Sequence, residues 1–139
     1  MIKKFVDSWE KHKSEVEDYI RKTPQSEYDD YDALVKILIK YVINKGDNDY
    51  CIDEMTVIDN GDYQGTQLFI IPRNTYQPDE DDYIMTSVGY GSCSGCDTLL
   101  GISVYGTGLP SDDQVKDYMS LLLHLLQNFK YLGTVDKDE

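Results

Sequence analysis

Two cysteines separated by two residues are the most chemically suggestive feature of this sequence. Cys93 and Cys96 enclose Ser-Gly, which allows a tight turn, and two thiolates so placed can hold one tetrahedral metal ion. A structural zinc needs four ligands, however, and no second pair of this kind follows. Asp97, His124, Cys51, His12 or a second subunit would have to complete the site. Zinc is therefore an alternative interpretation, and we expect no cofactor.

The same two cysteines suggest a thiol-redox pair as another alternative. A predicted strand leads into the motif, and Asp97-Thr98 could begin a helix whose dipole would favour a thiolate. Against this, residues 99–105 have the composition of a strand, no β-α-β pattern precedes them, and the Asp97 carboxylate would oppose thiolate formation. The simplest interpretation is a glycine-rich turn with two small thiols.

The sequence shows no catalytic constellation. Asp47-Asn48-Asp49 resembles the start of a calcium loop, but Ile52 occupies the position of the required glycine and no glutamate stands at the twelfth position. There is neither a phosphate-binding glycine loop with a lysine nor a Gly-x-Ser-x-Gly elbow. We therefore expect a protein that is not an enzyme.

The charge of the chain is segregated. Its 139 residues include 13 Lys and Arg against 26 Asp and Glu, a net charge of −13. The first 45 residues contain nine of each sign, so the excess acidity belongs to the remainder, and no Lys or Arg occurs between Arg73 and Lys116. Binding nucleic acid through a basic groove, or docking on anionic lipid, would require clustered cations. We expect neither a direct nucleic-acid partner nor a membrane partner.

Acidic residues in predicted loops form the candidate binding surface. Four adjacent carboxylates cannot be buried together, so residues 76–82 should be a solvated loop. The predicted partner-binding residues are Asp79, Glu80, Asp81, Asp82, Asp59 and Asp62. One interpretation is a merely solubilising surface. The other is a negative surface that attracts a basic protein or a nucleic-acid-binding complex whose phosphate ligand it imitates, because segregated charge focuses the potential and accelerates encounter.

Hydrophobic spacing predicts three helices. The first covers residues 2–21 and the second residues 24–44, with Thr23 as N-cap and Pro24 at the first helical position. The third covers residues 112–131 and begins with a capping box between Ser111 and Gln114. Gly46 and Gly133 are placed to end the second and third helices.

Between these helices the period changes to that of strands. Strands are predicted at residues 50–58, 66–71, 83–89 and 99–105, with Asn60-Gly61 in the first hairpin turn and Pro72 closing the second strand. The result is an α+β domain over residues 1–133: a small antiparallel sheet of three or four strands, with two N-terminal helices and one C-terminal helix packed on one face. Residues 134–139 form a charged tail that we expect to fray.

Segments that would direct the chain to a membrane or out of the cell are not evident. The sequence reaches Lys3 and Lys4 before an apolar region develops, and no stretch approaches the ~18 apolar residues of a membrane span. Three cysteines are an odd number and too few for a disulfide scaffold. We expect a cytoplasmic protein.

Two segments carry a resemblance to a known group of proteins. Residues 90–99 read YGSCSGCDTL and residues 115–127 read VKDYMSLLLHLLQ. Together they resemble a family of small acidic proteins encoded by tailed bacteriophages. The resemblance implies a phage origin and the host cytoplasm, without an activity or site residues. Our leading hypothesis is an interaction protein that modulates or inhibits a host nucleic-acid-handling or defence complex. The alternative is a metal-binding or thiol-active protein centred on Cys93 and Cys96.

Overall fold

The computed structural model describes residues 2–45, 49–61, 65–90, 98–103 and 108–132. Its helices and strands, in chain order, are α1 (Lys3–Lys22), α2 (Tyr31–Tyr41), β1 (Thr56–Gly61), β2 (Gly65–Pro72), β3 (Tyr83–Tyr90), α3 (Thr98–Ser103), α4 (Asp112–Gln127) and β4 (Lys130–Tyr131). Short 3₁₀ turns lie at Gln25–Tyr28, Ile43–Lys45, Ile52–Glu54 and Glu80–Asp82. The predicted α+β class, with an antiparallel sheet, is confirmed.

The second predicted helix is divided in the structure. After Pro24 the chain forms the 3₁₀ turn, and α2 begins only at Tyr31 because the Asp30 carboxylate accepts a hydrogen bond from the Ala33 N–H at 2.8 Å. Tyr28 is fully buried, and its hydroxyl donates to the Ile20 carbonyl at 2.8 Å, which fixes the break against the end of α1. The prediction of a continuous helix capped by Thr23 is therefore wrong. Gly46, its predicted end, lies outside the described residues.

The four strands pair in the order β1-β2-β3-β4, each antiparallel to its neighbour. The predicted turn residues Asn60 and Gly61 belong to β1 and pair with Thr66 and Gly65, so the connection lies at residues 62–64, outside the described residues. The first strand also starts later than predicted, because Ile52–Glu54 forms a 3₁₀ turn. As predicted, β2 ends at Pro72.

The prediction of a fourth strand at residues 99–105 is wrong for residues 99–103, the part of that segment that the structure describes. Residues 98–103 form α3, whose Leu99 and Ile102 are buried at helical spacing, and the Leu99 N–H donates to the Tyr31 hydroxyl at 3.1 Å. The fourth strand is β4, which pairs with Ile84 and Met85 of β3. For this reason α4 ends at Gln127 instead of continuing to residue 131.

One face of the sheet carries the hydrophobic core. Phe69, Ile71, Ile84 and Thr86 are buried on this face, and α4 packs on β3 while also contacting α1, α2 and α3. The Thr86 hydroxyl donates to the Leu125 carbonyl at 2.9 Å, so the sheet is joined to the last turns of α4 by a buried hydrogen bond. No helix in the described part of the chain is long and apolar enough to cross a bilayer.

Candidate functional site

The segments that precede β1 and β3 meet at one end of the sheet. Pro72 pairs with Tyr83, the Arg73 N–H donates to the Asp82 carbonyl at 2.7 Å, and the Cys51 N–H donates to the Pro72 carbonyl at 2.8 Å. The carboxylates of both segments therefore lie at this end. We call this set the acidic end: Asp49, Asp53, Glu54, Asp79, Glu80, Asp81 and Asp82, of which Asp82 is half-buried and the others are exposed.

Two carboxylates of the acidic end also fix the shape of its longest loop. Asp79 is the N-cap of the 3₁₀ turn Glu80–Asp82, and its side chain accepts a hydrogen bond from the Asp81 N–H at 3.0 Å. In return the Asp82 carboxylate accepts from the Asp79 N–H at 3.1 Å. This capping box holds Glu80 and Asp81 outward in one fixed turn. The loop is therefore solvated, as predicted from the sequence, and it also holds its negative charges in a fixed arrangement.

One cation belongs to the same part of the sequence as these carboxylates. Arg73 is the only Lys or Arg in the sequence between Lys45 and Lys116. Its guanidinium carbon lies 5.0 Å from the centroid of the Tyr50 ring, a cation–π arrangement that turns it toward the protein. Beside it a cavity of about 460 Å³ is lined by residues that include Cys51, Glu54 and Tyr83.

The structure does not bring all the predicted binding residues together. Asp59 lies in β1 opposite Gln67, whose amide donates to the Asp59 carboxylate at 3.2 Å. Gln67 is five residues from Pro72 along β2, which corresponds to about 17 Å at the usual rise of a strand. Asp59 is therefore toward the other end of the sheet. Asp62 lies outside the described residues.

Sequence reasoning missed the second face of the sheet. The side chains on it, which alternate with those of the core face, include Thr56, Ile58, Leu68, Ile70, Met85 and Ser87; we call them the open face. Ile58 is 47% exposed and the other apolar members are partly exposed. The signal was present in β2, where Leu68-Phe69-Ile70-Ile71 is apolar at consecutive positions instead of alternating with polar residues.

Three residues of the alternative metal site lie outside the described residues: Cys93, Cys96 and Asp97. His124 is exposed on α4 and lines a pocket with Asp117 and Ser120, but no hydrogen bond joins these three side chains in the described structure. His12 lies elsewhere, 2.7 Å from Glu15. Within the described ranges, no three His, Cys, Asp or Glu side chains converge as a metal site would require.

Similarity to known proteins does not indicate a function for these surfaces. Comparisons of the chain with protein-family models, with curated proteins and with solved structures gave no match. The use of the acidic end and the open face must therefore be inferred from their own geometry and charge.

Proposed function

We propose that this protein is a non-enzymatic binding protein that docks a basic partner protein on the acidic end of its sheet. The observation that carries the proposal is that seven carboxylates from two segments lie at the same end of the sheet, in a part of the sequence where Arg73 is the only Lys or Arg between Lys45 and Lys116. Charges of one sign that are held close together produce a local potential, which accelerates the encounter with a partner of opposite charge. Because the capping box already fixes the loop, less conformational entropy is lost when the partner binds.

A nucleic-acid-handling protein is the class of partner that we propose. Such proteins carry grooves of Lys and Arg that neutralise a row of phosphates, and an ordered row of carboxylates presents the same sign of charge at close spacing. The resemblance to phage proteins, if it reflects common origin, would make this partner a host enzyme or defence complex in the host cytoplasm. Occupation of its groove would then modulate or inhibit it.

Neutralising the loop without disturbing its turn tests this proposal. In the variant Asp79→Asn, Glu80→Gln, Asp81→Asn, Asp82→Asn, the amide oxygens can still accept both capping hydrogen bonds, since Asn is as good an N-cap as Asp. We expect stability to change by less than about 0.5 kcal/mol. Association with a decalysine peptide at low salt should slow by about tenfold and depend less on salt concentration. Stopped-flow fluorescence measures both quantities.

A control variant with the same change of charge distinguishes a local surface from total charge. Asp7→Asn, Asp29→Asn, Asp113→Asn and Asp117→Asn also remove four exposed carboxylates, none of which belongs to the two segments of the acidic end. We expect this control to associate with decalysine nearly as fast as the wild type. Equal slowing in both variants would show that only the net charge matters, and would overturn the proposal.

Chelation tests the alternative function as a metal-binding protein. We expect EDTA to leave the thermal melt of the wild type unchanged, and Cys93→Ser with Cys96→Ser to cost no more than about 1 to 2 kcal/mol, the cost that applies if both thiols are buried. A structural zinc would behave otherwise, because losing two of four ligands would remove most of a binding energy of roughly 10 to 16 kcal/mol. A large and matched loss in both experiments would favour the metal-binding function.

A further inference from the structure

We propose that the outer edge of β1 binds an extended segment of the basic partner by strand addition. The segment would alternate apolar with Lys or Arg side chains. This inference rests on the proposed function, because it names the way in which the same partner docks.

In the described sheet, β1 is an edge strand. In the part of the chain that the structure describes, β1 has a neighbouring strand on one side only, and it pairs with β2 through six consecutive residues without a bulge. In such a pair, alternate N–H and C=O groups point away from the partner strand. Residues 56–60 are all exposed. The sequence of β1 contains neither lysine nor proline, the residues that commonly protect an outer strand from pairing.

Both faces of β1 offer apolar contact. Val57 is 40% exposed and Ile58 is 47% exposed, and as neighbours in a strand they point to opposite faces. Val57 pairs with Phe69, which is completely buried on the core face. The helical layer thus covers β2 but leaves Val57 partly uncovered. An added strand would cover Val57 and Ile58 together.

The open face determines which side chains of the added strand should be apolar. On this face Ile58 stands beside Leu68 of β2, and Thr56 beside Ile70, which in turn faces Met85 of β3. Apolar side chains placed next to Ile58 would extend these cross-strand rows. The alternate side chains of the segment would lie on the Val57 and Asp59 face. Alternation of apolar and polar residues therefore fits the site.

Charge selects a basic partner rather than a second copy of this chain. Asp53 and Glu54 are separated from the start of β1 by Met55 alone, and Asp59 lies within the strand. Lys or Arg on the Asp59 face, and at the end of the segment near Glu54, would meet carboxylates. A second copy would instead bring another net charge of −13 to the same place. Repulsion between the two copies would oppose their pairing.

Amide hydrogen exchange on the full chain tests strand addition directly. The probe is a ten-residue peptide of alternating valine and lysine, and its control has the same composition in two blocks, five valines followed by five lysines. With the alternating peptide, we expect the outward-facing β1 amides to exchange about tenfold more slowly, because they become hydrogen-bonded. The block peptide should give little protection there.

Two substitutions of an exposed aliphatic residue by lysine test whether the peptide binds at β1 or elsewhere on the surface. Ile58→Lys places a like charge in the path of the probe and removes an apolar contact, and we expect about tenfold weaker binding of the alternating peptide. Leu109→Lys, at a residue that is 62% exposed outside the sheet, should bind nearly as the wild type does. Equal affinities of both variants would count against β1 as the docking edge.

The outcomes distinguish this inference from the proposed function. Peptide binding that weakens when Asp79–Asp82 are neutralised, but that leaves the exchange of β1 amides unchanged, overturns strand addition and retains the proposed function. Failure of both peptides to bind at low salt overturns the proposed function as well. Protection of β1 that grows with protein concentration in the absence of peptide would identify a second copy as the occupant and overturn the basic partner.

Discussion

Replacement of Leu122 by alanine is expected to lower the free energy of unfolding by about 2 to 5 kcal/mol, the range observed when a buried leucine is truncated. Leu122 is fully buried on α4, the helix that contacts β3, α1 and α2. Alanine has a higher intrinsic helix propensity than leucine, so the loss would come from packing and from the cavity left behind. Chemical denaturation followed by circular dichroism measures it.

The same substitution at an exposed position provides the control for Leu122. Leu109 is 62% exposed, and Leu109→Ala should change the free energy of unfolding by less than about 0.5 kcal/mol. If Leu122→Ala cost as little as this control, the buried stripe of α4 would have to be exposed in solution. Docking through α4 would then be a better hypothesis than docking through the sheet.

The elements that could be predicted from the sequence are those specified by nearby residues. The start of α4 is one, because Ser111 and Gln114 form both hydrogen bonds of a capping box, at 3.2 and 2.9 Å. Val115, Tyr118 and Leu122 are buried at the helical spacing expected. The end of α4 could not be predicted in this way. Lys130 and Tyr131 continue the helical pattern but pair instead with β3, a contact between residues more than forty positions apart.

Residues 98–103 show how a tertiary contact can override local propensity. Gly101 and Ile102 lower the helix propensity of this segment, and with Val104 they suggested a strand. The segment is helical because Leu99 and Ile102 are buried together, and because the Tyr31 hydroxyl accepts the Leu99 N–H. The separation of Leu99 and Ile102 by three residues is the helical signal in the sequence. In so short a segment, however, there are too few residues for a helical pattern to stand out.

The acidic composition of the candidate site could be predicted from the sequence, but its position on the sheet could not. Exposure of Asp79, Glu80 and Asp81 followed from their charge alone. That Asp53 and Glu54 join them, while Asp59 lies about 17 Å along the sheet, depends on strand register, which the misplaced hairpin turn had obscured. The open face depends on the absence of a helical layer from one side of the described sheet, and local sequence does not determine this.

Alkaline solution is expected to destabilise the protein through two buried tyrosines. The rings of Tyr28 and Tyr118 are 5.0 Å apart in an edge arrangement, both side chains are fully buried, and the Tyr118 hydroxyl donates to the Gln25 side-chain carbonyl at 2.9 Å. Burial, with a smaller effect from the Asp29 carboxylate, raises the pKa of Tyr118 to about 12. Burial also raises the pKa of Tyr28. Both hydroxyls are therefore held in the neutral form.

The direction of the pH effect follows from these pKa values. In the unfolded chain a tyrosine ionises near pH 10, so its burial as the neutral form contributes full stability below that pH and loses the contribution as the pH rises toward 12. For Tyr118 alone, a difference of two pKa units corresponds to a loss of about 2 kcal/mol by pH 12. Urea unfolding measured from pH 8 to pH 12 should show stability falling above pH 10.

Removing one hydroxyl separates this effect from general alkaline damage. Tyr118→Phe should be less stable than the wild type at pH 8 by about 1 kcal/mol, because Gln25 loses a buried hydrogen-bond donor. Its stability should nevertheless fall less steeply above pH 10, since one ionisable group is gone, and the two curves should cross between pH 10 and pH 12. Tyr76→Phe, at a side chain that is 89% exposed, should follow the wild-type curve throughout. Equal slopes for Tyr118→Phe and the wild type would mean that Tyr118 ionises as easily in the folded protein as in the unfolded chain, and would contradict the raised pKa of Tyr118.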